Sequence, residues 1–309
     1  METKDGGCAL CPRECGADRK KGPGRCGCTD RMRIARVMLH FYEEPVISGS
    51  RGSGAIFFTG CPLGCAFCQN GEISRPSAAG SAGREIDDDE LCRIMLDLQR
   101  DGAHNVNFVS PTPFTDRIIA AAGEARRRGL TIPVVWNTGG YEKAETIRAL
   151  AGNADIFLTD FKFFDPSVSK TLAGAEDYAK YAAESLREMV RIAGKPAFGD
   201  DGMMKSGVIV RHLVLPGLRR DSEKVLRAVA DAAGAENVLL SLMSQYTPDF
   251  FRGCGDPVLD RAMRRRVTTF EYEEVRRIAL ELGFDGFMQE RSSSVKDYTP
   301  EWDKNEENL

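Results

Sequence analysis

Beyond residue 54 the chain alternates short apolar segments with longer segments in which apolar residues recur at helical spacing. Apolar runs rich in Val, Ile and Phe predict strands that are buried on both faces. Six such runs occur, at 55–60, 105–110, 133–137, 155–160, 207–214 and 237–242. Apolar residues three and four positions apart predict helices between them, near 88–101, 114–128, 142–151, 178–194 and 220–233. This alternation indicates repeated βα units around a parallel sheet.

The number of units limits the fold class. Six βα units are too few to close an eight-stranded barrel, so this α/β chain fits either a partial (β/α)6 barrel or an open doubly wound sheet. In both, ligands collect where the strands end. Asp221 or Ser222 is expected to cap the fifth helix, and the stretches 71–86 and 194–206, rich in Gly and small or polar residues, are expected to be loops.

The two ends of the chain differ from this middle part. Residues 1–31 are rich in Cys, Gly, Lys and Arg and contain few apolar residues, so they cannot form a hydrophobic core of their own. Residues 251–309 are expected to form a C-terminal extension with one helix near 269–283 and a polar tail. We therefore divide the chain into a cysteine-rich segment, 1–31, a βα domain, 32–250, and this extension.

Composition and charge exclude some classes of function. The 309 residues are 42% hydrophobic and 28% charged, and the formal net charge is -4 with acidic and basic residues mixed along the chain. Nothing in this pattern indicates a nucleic-acid partner. The first residues are polar, and no apolar run approaches the ~20 residues that span a bilayer. We expect a cytoplasmic protein that does not associate with a membrane and whose cysteines stay reduced.

Eight of the ten cysteines lie within the first 68 residues, a clustering that indicates metal ligation rather than disulfides. Cys61, Cys65 and Cys68 directly follow the first predicted strand, and their Cys-x3-Cys-x2-Cys spacing lets one tight loop hold a cubic 4Fe-4S cluster. Three thiolates leave one iron without a protein ligand, so that a cofactor or substrate can bind there. The alternatives are unliganded cysteines or a zinc knuckle, which needs a fourth ligand from the N-terminal segment.

This loop resembles the hallmark of the radical S-adenosylmethionine (SAM) superfamily, in which an aromatic residue, here Phe67, precedes the third cysteine. The resemblance extends over about 32–250 and is strongest to the activases of glycyl radical enzymes, in particular to the pyruvate formate-lyase activating enzyme-like subgroup. It is carried by the stretches ARVMLHFYEEPVISGSRGSGAIFFTGCPLGCAFCQN, VNFVSPTPF, VVWNTGGYE, DIFLTDFKF, GVIVRHLVLPG and SLMSQY. The resemblance implies a partial barrel and an oxidoreductase whose open iron binds the amino and carboxylate groups of SAM. An electron from the reduced cluster then cleaves SAM to methionine and a 5′-deoxyadenosyl radical, which takes a hydrogen atom from the substrate.

The resemblance also implies which residues bind SAM. The implied positions are Phe67, Asn70, Ser110, Thr112, Asn137, Thr138, Asp160, Lys162, Arg211, His212 and Gln245. Thr138, Asp160 and Lys162 would surround the methionine carboxylate, with Lys162 as a charge-assisted donor. Ser110 to Pro113 stand where the activases have a Gly-Gly-Glu stretch, so backbone carbonyls and Thr112 would accept from the SAM ammonium. Gln245 stands near the place of a histidine and would act as a neutral donor.

Some of these positions have a second interpretation. Asp160 and Lys162 could form a simple salt bridge at a strand end, but if Phe161 faces the helices, both point into the barrel. His212 could be a buried core histidine instead of a site residue. Asn137 replaces an aspartate of the activases, and the loss of this charge weakens the expectation that a monovalent cation bridges the SAM carboxylate to Asp160.

The remaining N-terminal cysteines are Cys8, Cys11, Cys15, Cys26 and Cys28. They suffice for a four-ligand metal site with one thiol to spare, which we expect to be Cys28, and bound metal would order a segment that lacks a core. A structural zinc and an auxiliary iron–sulfur cluster both fit, and disordered free thiols are a third interpretation. The spacing matches neither standard zinc fingers nor the ferredoxin-like insert of many activases. Cys92 and Cys254 are expected to be unligated and at least partly buried.

The expected partners depend on the same resemblance. A group of basic side chains in the N-terminal segment could dock an acidic electron donor such as flavodoxin or ferredoxin, or face solvent; it consists of Arg13, Arg19, Lys20, Lys21 and Arg25. The preferred function is a radical enzyme whose hydrogen donor is a glycine of a partner glycyl radical enzyme. One rival is a radical enzyme that modifies a small molecule or a ribosomal peptide. The other is a non-catalytic iron–sulfur or zinc protein.

Overall fold

The computed structural model describes residues 6–75 and 82–289. The strands are β1 Met32–His40, β2 Ser53–Phe58, β3 Arg84–Ile86, β4 Val106–Val109, β5 Val134–Thr138, β6 Ile156–Asp160, β7 Ala197–Phe198, β8 Met204–Leu213, β9 Leu239–Met243 and β10 Asp285–Met288. The helices are α1 Pro45–Ser48, α2 Gly71–Ser74, α3 Asp88–Arg100, α4 Thr115–Arg127, α5 Ala144–Arg148, α6 Pro166–Ala173, α7 Tyr178–Ala193, α8 Arg219–Ala233, α9 Pro257–Met263 and α10 Thr269–Glu281. Short 3-10 turns lie at Thr112–Phe114, Ala235–Asn237 and Pro248–Phe250.

The strands form one mixed sheet in the order β10-β9-β8-β6-β5-β4-β2-β1-β3, with β7 attached to β8. From β2 to β10 every neighbouring pair in this order is parallel. β1 runs antiparallel to β2, and β3 runs antiparallel to β1. The parallel strands follow one another in chain order, without the reversal that defines a doubly wound sheet. The sheet is open, with β3 and β10 at its edges, so the partial barrel is confirmed and the doubly wound alternative is wrong.

The predicted pattern accounts for the centre of this sheet. All six predicted strands are present, as β2, β4, β5, β6, β8 and β9, and the helices predicted between them are α3, α4, α5, α7 and α8. The stretch 71–86, predicted to be a loop, contains α2 and β3, and the stretch 194–206 contains β7 and the start of β8. Residues 76–81 and the tail from 290 lie outside the described residues. No helix in the described part of the chain is long and apolar enough to cross a membrane.

The sequence pattern does not predict β10, and this strand changes where the sheet ends. It lies beyond residue 250, yet it pairs in parallel with β9, with Asp285 opposite Leu239. At Gly286 an added Cβ would come within 2.1 Å of the Leu240 carbonyl oxygen, so the close approach of the two strands requires a glycine there. The division at 250 therefore cuts through a continuous sheet.

Neighbouring residues of each strand face opposite sides of the sheet. Val134 and Trp136 belong to the large core that packs under the long helices, whereas Val135 belongs to a smaller apolar cluster on the concave side. Ile47 of α1 joins this smaller cluster, and its carbonyl accepts from the side chain of Asn105 just before β4. α1 therefore closes the concave side at the amino ends of the strands and leaves the carboxyl ends open.

The expectation that Asp221 or Ser222 caps the fifth helix is wrong. α8 begins at Arg219, so both residues lie inside its first turn. The Asp221 carboxylate instead accepts from the backbone N–H groups of Phe164, at 3.1 Å, and Asp165, at 2.7 Å, in the turn after β6. These two N–H groups belong to another segment of the chain, and spacing along one helix cannot reveal that they need an acceptor.

Candidate active site

A pocket of about 670 Å³ lies on the concave side of the sheet, at the carboxyl ends of the parallel strands. Such strand ends are where barrel folds bind their ligands. One wall is the loop that follows β2, and the others come from the last residues of β4, β5, β6, β8 and β9, from the segment after β1 and from β10 with Gln289. The sequence-predicted residues that line the pocket are Cys61, Cys65, Cys68, Phe67, Asn70, Ser110, Asn137, Thr138, Asp160, Lys162, Arg211 and Gln245.

The three-cysteine loop is tightly turned and mostly shielded from solvent. Gly64 has a positive φ of 72°, which lets the chain turn between Cys61 and Cys65, and the N–H of Cys68 donates to the Cys65 carbonyl at 3.2 Å. Burial raises the pKa of Cys61 to about 11 and that of Cys65 to about 12. Metals bind thiolates, so a bound metal has to supply the positive charge that favours the ionised form here.

Two polar atoms of the pocket have no partner. Asn70 Oδ1 and Glu44 Oε2 are buried, and neither accepts a hydrogen bond from any described residue. Folded proteins rarely leave such atoms unsatisfied, so both fit a ligand that carries ammonium or hydroxyl groups. No three His, Cys, Asp or Glu side chains between residues 6 and 75 or 82 and 289 surround a single-ion position. A 4Fe-4S cluster would not need a shared single-ion position, because each thiolate would bind a different iron.

A row of charged side chains crosses the pocket at one register of the sheet, where Asp160 of β6 lies opposite Arg211 of β8. Arg211 Nε donates to Asp160 Oδ1 at 3.0 Å, and Lys162 Nζ pairs with the other carboxylate oxygen. Although burial opposes the charge, Lys162 and Arg211 hold the pKa of Asp160 below its ordinary value. Burial likewise opposes the charge of Lys162, but Asp160 and Cys65 raise its pKa. Asp160 and the two cationic side chains thus favour one another's charged forms.

Glu43 is a site residue that sequence analysis missed. Its carboxylate accepts from Arg211 Nη1 at 3.2 Å, from Asn137 Nδ2 at 3.1 Å and from Asn107 Nδ2 at 3.2 Å. It therefore ties together side chains from β4, β5 and β8. The next residue, Glu44, is buried at the same place, and burial raises its pKa. The signal that could have found them is an adjacent acidic pair shortly before the first predicted strand.

The remaining pocket residues have different surroundings. The Phe67 ring packs edge-on against Phe163, with ring centres 6.1 Å apart. Ser110 has φ of 58°, a left-handed conformation that costs a non-glycine residue energy and is over-represented at functional sites. Gln245 accepts from Gln289 Nε2 at 3.2 Å, so the residue after β10 positions it.

Two sequence-predicted site residues, Thr112 and His212, do not line the pocket. The Thr112 hydroxyl donates to the buried carboxylate of Glu142. His212 follows Arg211 in β8, and adjacent strand residues face opposite sides, so only one of them can face the pocket. His212 Nδ1 lies 2.7 Å from the Phe161 carbonyl oxygen, and burial lowers the pKa of His212 to about 4. It is a neutral core histidine, as its second interpretation held.

The N-terminal cysteines lie beside the pocket and do not line it. Cys28 is buried, and its thiol donates to the Thr59 carbonyl at 3.2 Å, just before the three-cysteine loop. Of the basic side chains nearby, Arg13 donates to the Pro62 carbonyl at 2.8 Å and Arg19 to the Thr29 carbonyl at 3.0 Å. These two arginines therefore hold the segment together and are not simply a solvated face.

The fold and the site together define a class of protein: an open, singly wound parallel barrel with a three-cysteine loop after its first parallel strand and a polar pocket at the strand ends. The family model for the radical SAM superfamily matches residues 55–229, more than half of the chain, and the chain belongs to this superfamily. A similar protein of Methanocaldococcus jannaschii, described as uncharacterized, is 29% identical over 247 residues, which are 79% of this chain and 67% of that protein. Membership implies a radical SAM enzyme that uses a 4Fe-4S cluster and SAM.

Proposed function

We propose that Cys61, Cys65 and Cys68 hold the 4Fe-4S cluster and that SAM binds beside it in the pocket. The bound, reduced cluster would supply the electron that cleaves SAM to methionine and a 5′-deoxyadenosyl radical, which takes a hydrogen atom from the substrate. The observation that carries this proposal is that one pocket brings together three thiols, two cationic side chains and unpartnered buried acceptor atoms.

The polar ends of SAM find complementary groups on the pocket walls. Lys162 gives one of its three N–H donors to Asp160 and keeps two for the SAM carboxylate. Arg211 adds a second positive charge to the pocket. Because its guanidinium is already paired with Asp160 and Glu43, it would attract the SAM carboxylate electrostatically without contacting it. Asn70 Oδ1 is an acceptor for the ammonium or for a ribose hydroxyl. Phe67 supplies an apolar surface next to these groups.

We further propose that the hydrogen donor is a glycine of a partner protein, as in the activases that the sequence resembles. The open sheet supports this proposal, because a large substrate can approach between its edges. Phe41 is 51% exposed and Tyr42 is 60% exposed, and Tyr42 lines the pocket. Exposed aromatic side chains of this kind are enriched at protein interfaces. A small molecule or a ribosomal peptide remains the rival substrate, because a pocket of about 670 Å³ is in the size range for small ligands.

The cluster assignment is tested by anaerobic reconstitution of wild type, Cys65→Ser and the control Cys254→Ser. Cys254 also carries a partly buried thiol, but it lies 3.3 Å from Asp260 and not in the pocket. Wild type and Cys254→Ser should bind equal iron and sulfide, and SAM should change the paramagnetic resonance spectrum of the reduced cluster. Cys65→Ser should lose that cluster. Equal binding by Cys65→Ser, or a spectrum indifferent to SAM, would contradict the proposal.

The substrate class needs a separate experiment. Proteins that co-purify anaerobically are mixed with reduced enzyme and SAM, and the mixture is frozen for paramagnetic resonance. A glycine-centred radical that appears only with active enzyme supports the partner protein. Deoxyadenosine release without a protein radical, stimulated instead by a small-molecule or peptide fraction, supports the rival substrate.

A further inference from the structure

The N-terminal segment folds without a hydrophobic core, because its buried apolar side chains are few. Its order comes from a backbone knuckle in which the N–H of Cys8 donates to the Ala17 carbonyl at 3.0 Å and the N–H of Gly16 donates back to Cys8 at 3.1 Å. The two sides touch so closely that a Cβ on Gly7 would lie 2.2 Å from the Gly16 carbonyl oxygen. These backbone contacts hold the segment without using the thiols of Cys8, Cys11 or Cys15.

Four thiols of the segment face one another. A Cβ on Gly24 would lie 3.4 Å from Cys15 Sγ and 3.7 Å from Cys26 Sγ, so these two sulfurs converge on one glycine. Cys11 lies near both Cys8 and Cys26, whose charges act on its thiol. The fifth thiol is used elsewhere, since Cys28 donates to the Thr59 carbonyl. Cys28 also lies against Cys26, so its hydrogen bond to Thr59 is what distinguishes it from the other four thiols.

A buried carboxylate lies below these thiols. Glu142 is 0% exposed, and its Oε1 accepts from the hydroxyls of Thr112 and Thr138. Its Oε2 has no partner among the described residues, although Cys11 is close enough to feel its charge. An unpartnered carboxylate oxygen in the interior is costly, and burial accordingly raises the pKa of Glu142 to about 7, toward its neutral form.

The segment is fastened to the loops that carry the pocket. Arg13 Nε donates to the Pro62 carbonyl at 2.8 Å, in the three-cysteine loop. Thr146, which follows the pocket residue Thr138 by eight positions, donates from Oγ1 to the Leu10 carbonyl at 2.7 Å. Lys143 pairs with Glu14 at 2.6 Å. An interaction that stabilises the N-terminal segment therefore also stabilises the loops that carry the pocket residues.

We propose that Cys8, Cys11, Cys15 and Cys26 bind a second thiophilic metal centre, either a zinc ion or an iron–sulfur cluster. Metal binding supplies the folding energy that this coreless segment lacks. The described thiols do not yet surround a single-ion position, and a cysteine moves its sulfur by rotation about one bond, χ1. Through the contacts of Arg13 and Thr146, this centre stabilises the SAM pocket.

The test is metal and sulfide analysis of anaerobically purified full-length protein. Cys65→Ser, which lacks a ligand of the proposed first cluster, should still contain a metal centre that Cys65→Ser/Cys11→Ser lacks. Zinc without sulfide identifies the ion, and iron with sulfide identifies the cluster. Cys254→Ser serves as the control and should match wild type. This test is independent of the first cluster. Even if Cys65 were not a cluster ligand, the metal lost between Cys65→Ser and Cys65→Ser/Cys11→Ser would still be the metal that depends on Cys11.

A second measurement does not depend on metal counting. Limited proteolysis within residues 6–31 should be at least about tenfold faster in Cys11→Ser than in Cys254→Ser, which corresponds to about 1.4 kcal/mol of local stability. SAM affinity measured on the iron-loaded protein should fall in the same variant. The proposal would be overturned if Cys65→Ser and Cys65→Ser/Cys11→Ser contained equal metal and if Cys11→Ser and Cys254→Ser were cleaved at equal rates.

Discussion

Replacing Arg211 by methionine should destabilise the protein far more than loss of an ordinary salt bridge. Arg211 is largely buried, with Nε 3.0 Å from Asp160, Nη1 3.2 Å from Glu43 and Nη2 2.6 Å from Asn137. Removing one partner of a buried ion pair costs about 3–5 kcal/mol, because the other charge is left uncompensated. Asp160 keeps Lys162 and Glu43 keeps amide donors, so we expect the lower end of this range, about 3 kcal/mol.

The assay is urea unfolding of anaerobically purified variants at pH 7.5, followed by circular dichroism. The matched control is Arg227→Met, which removes an exposed pair with Glu223 at 2.9 Å and should cost about 0.5 kcal/mol or less. Glu43→Gln added to Arg211→Met should restore part of the loss, because it removes the uncompensated carboxylate. A loss below about 1 kcal/mol in Arg211→Met, or a further loss in the double variant, would refute the reasoning.

Three further predictions concern single residues. His212 has a folded-state pKa of about 4, below its ordinary value, so the unfolded chain gains a proton first as pH falls. Wild type should lose about 2 kcal/mol of stability by pH 5 relative to His212→Asn in the same urea assay, and equal pH profiles would contradict this. Asp221→Ala should cost about 1–2 kcal/mol in that assay, because two partly buried N–H groups lose a charged acceptor, whereas Asp231→Ala, an exposed position on the same helix, should cost little; similar losses would count against the assigned role. Lys162→Met should weaken SAM binding at least about tenfold by equilibrium dialysis while Thr112→Val leaves it unchanged, and the reverse order would show that the site is misassigned.

The parallel centre of the sheet could be predicted because each of its strands is a short, nearly continuous apolar run. β1 escapes this rule because its residues are mostly half-buried, and β10 is only a few residues long and contains Gly286. Their positions depend on pairing with β2 and β9, which are distant along the chain.

The site was predictable where motif residues sit at strand ends, as with Asp160 and Lys162. The assignment of both Arg211 and His212 to the pocket ignored the alternation of strand faces, which admits only one. Glu43 was missed because its role comes from side chains on three other strands. Thr112 follows a strand end but turns toward Glu142, and no local pattern announces that buried acceptor.

The most direct test of the central claim is chromatographic measurement of 5′-deoxyadenosine after anaerobic incubation of reconstituted protein with SAM and dithionite. Wild type and Cys254→Ser should release it, and Cys65→Ala should not. Release by Cys65→Ala at the wild-type rate, or no release by iron-loaded wild type, would contradict the account.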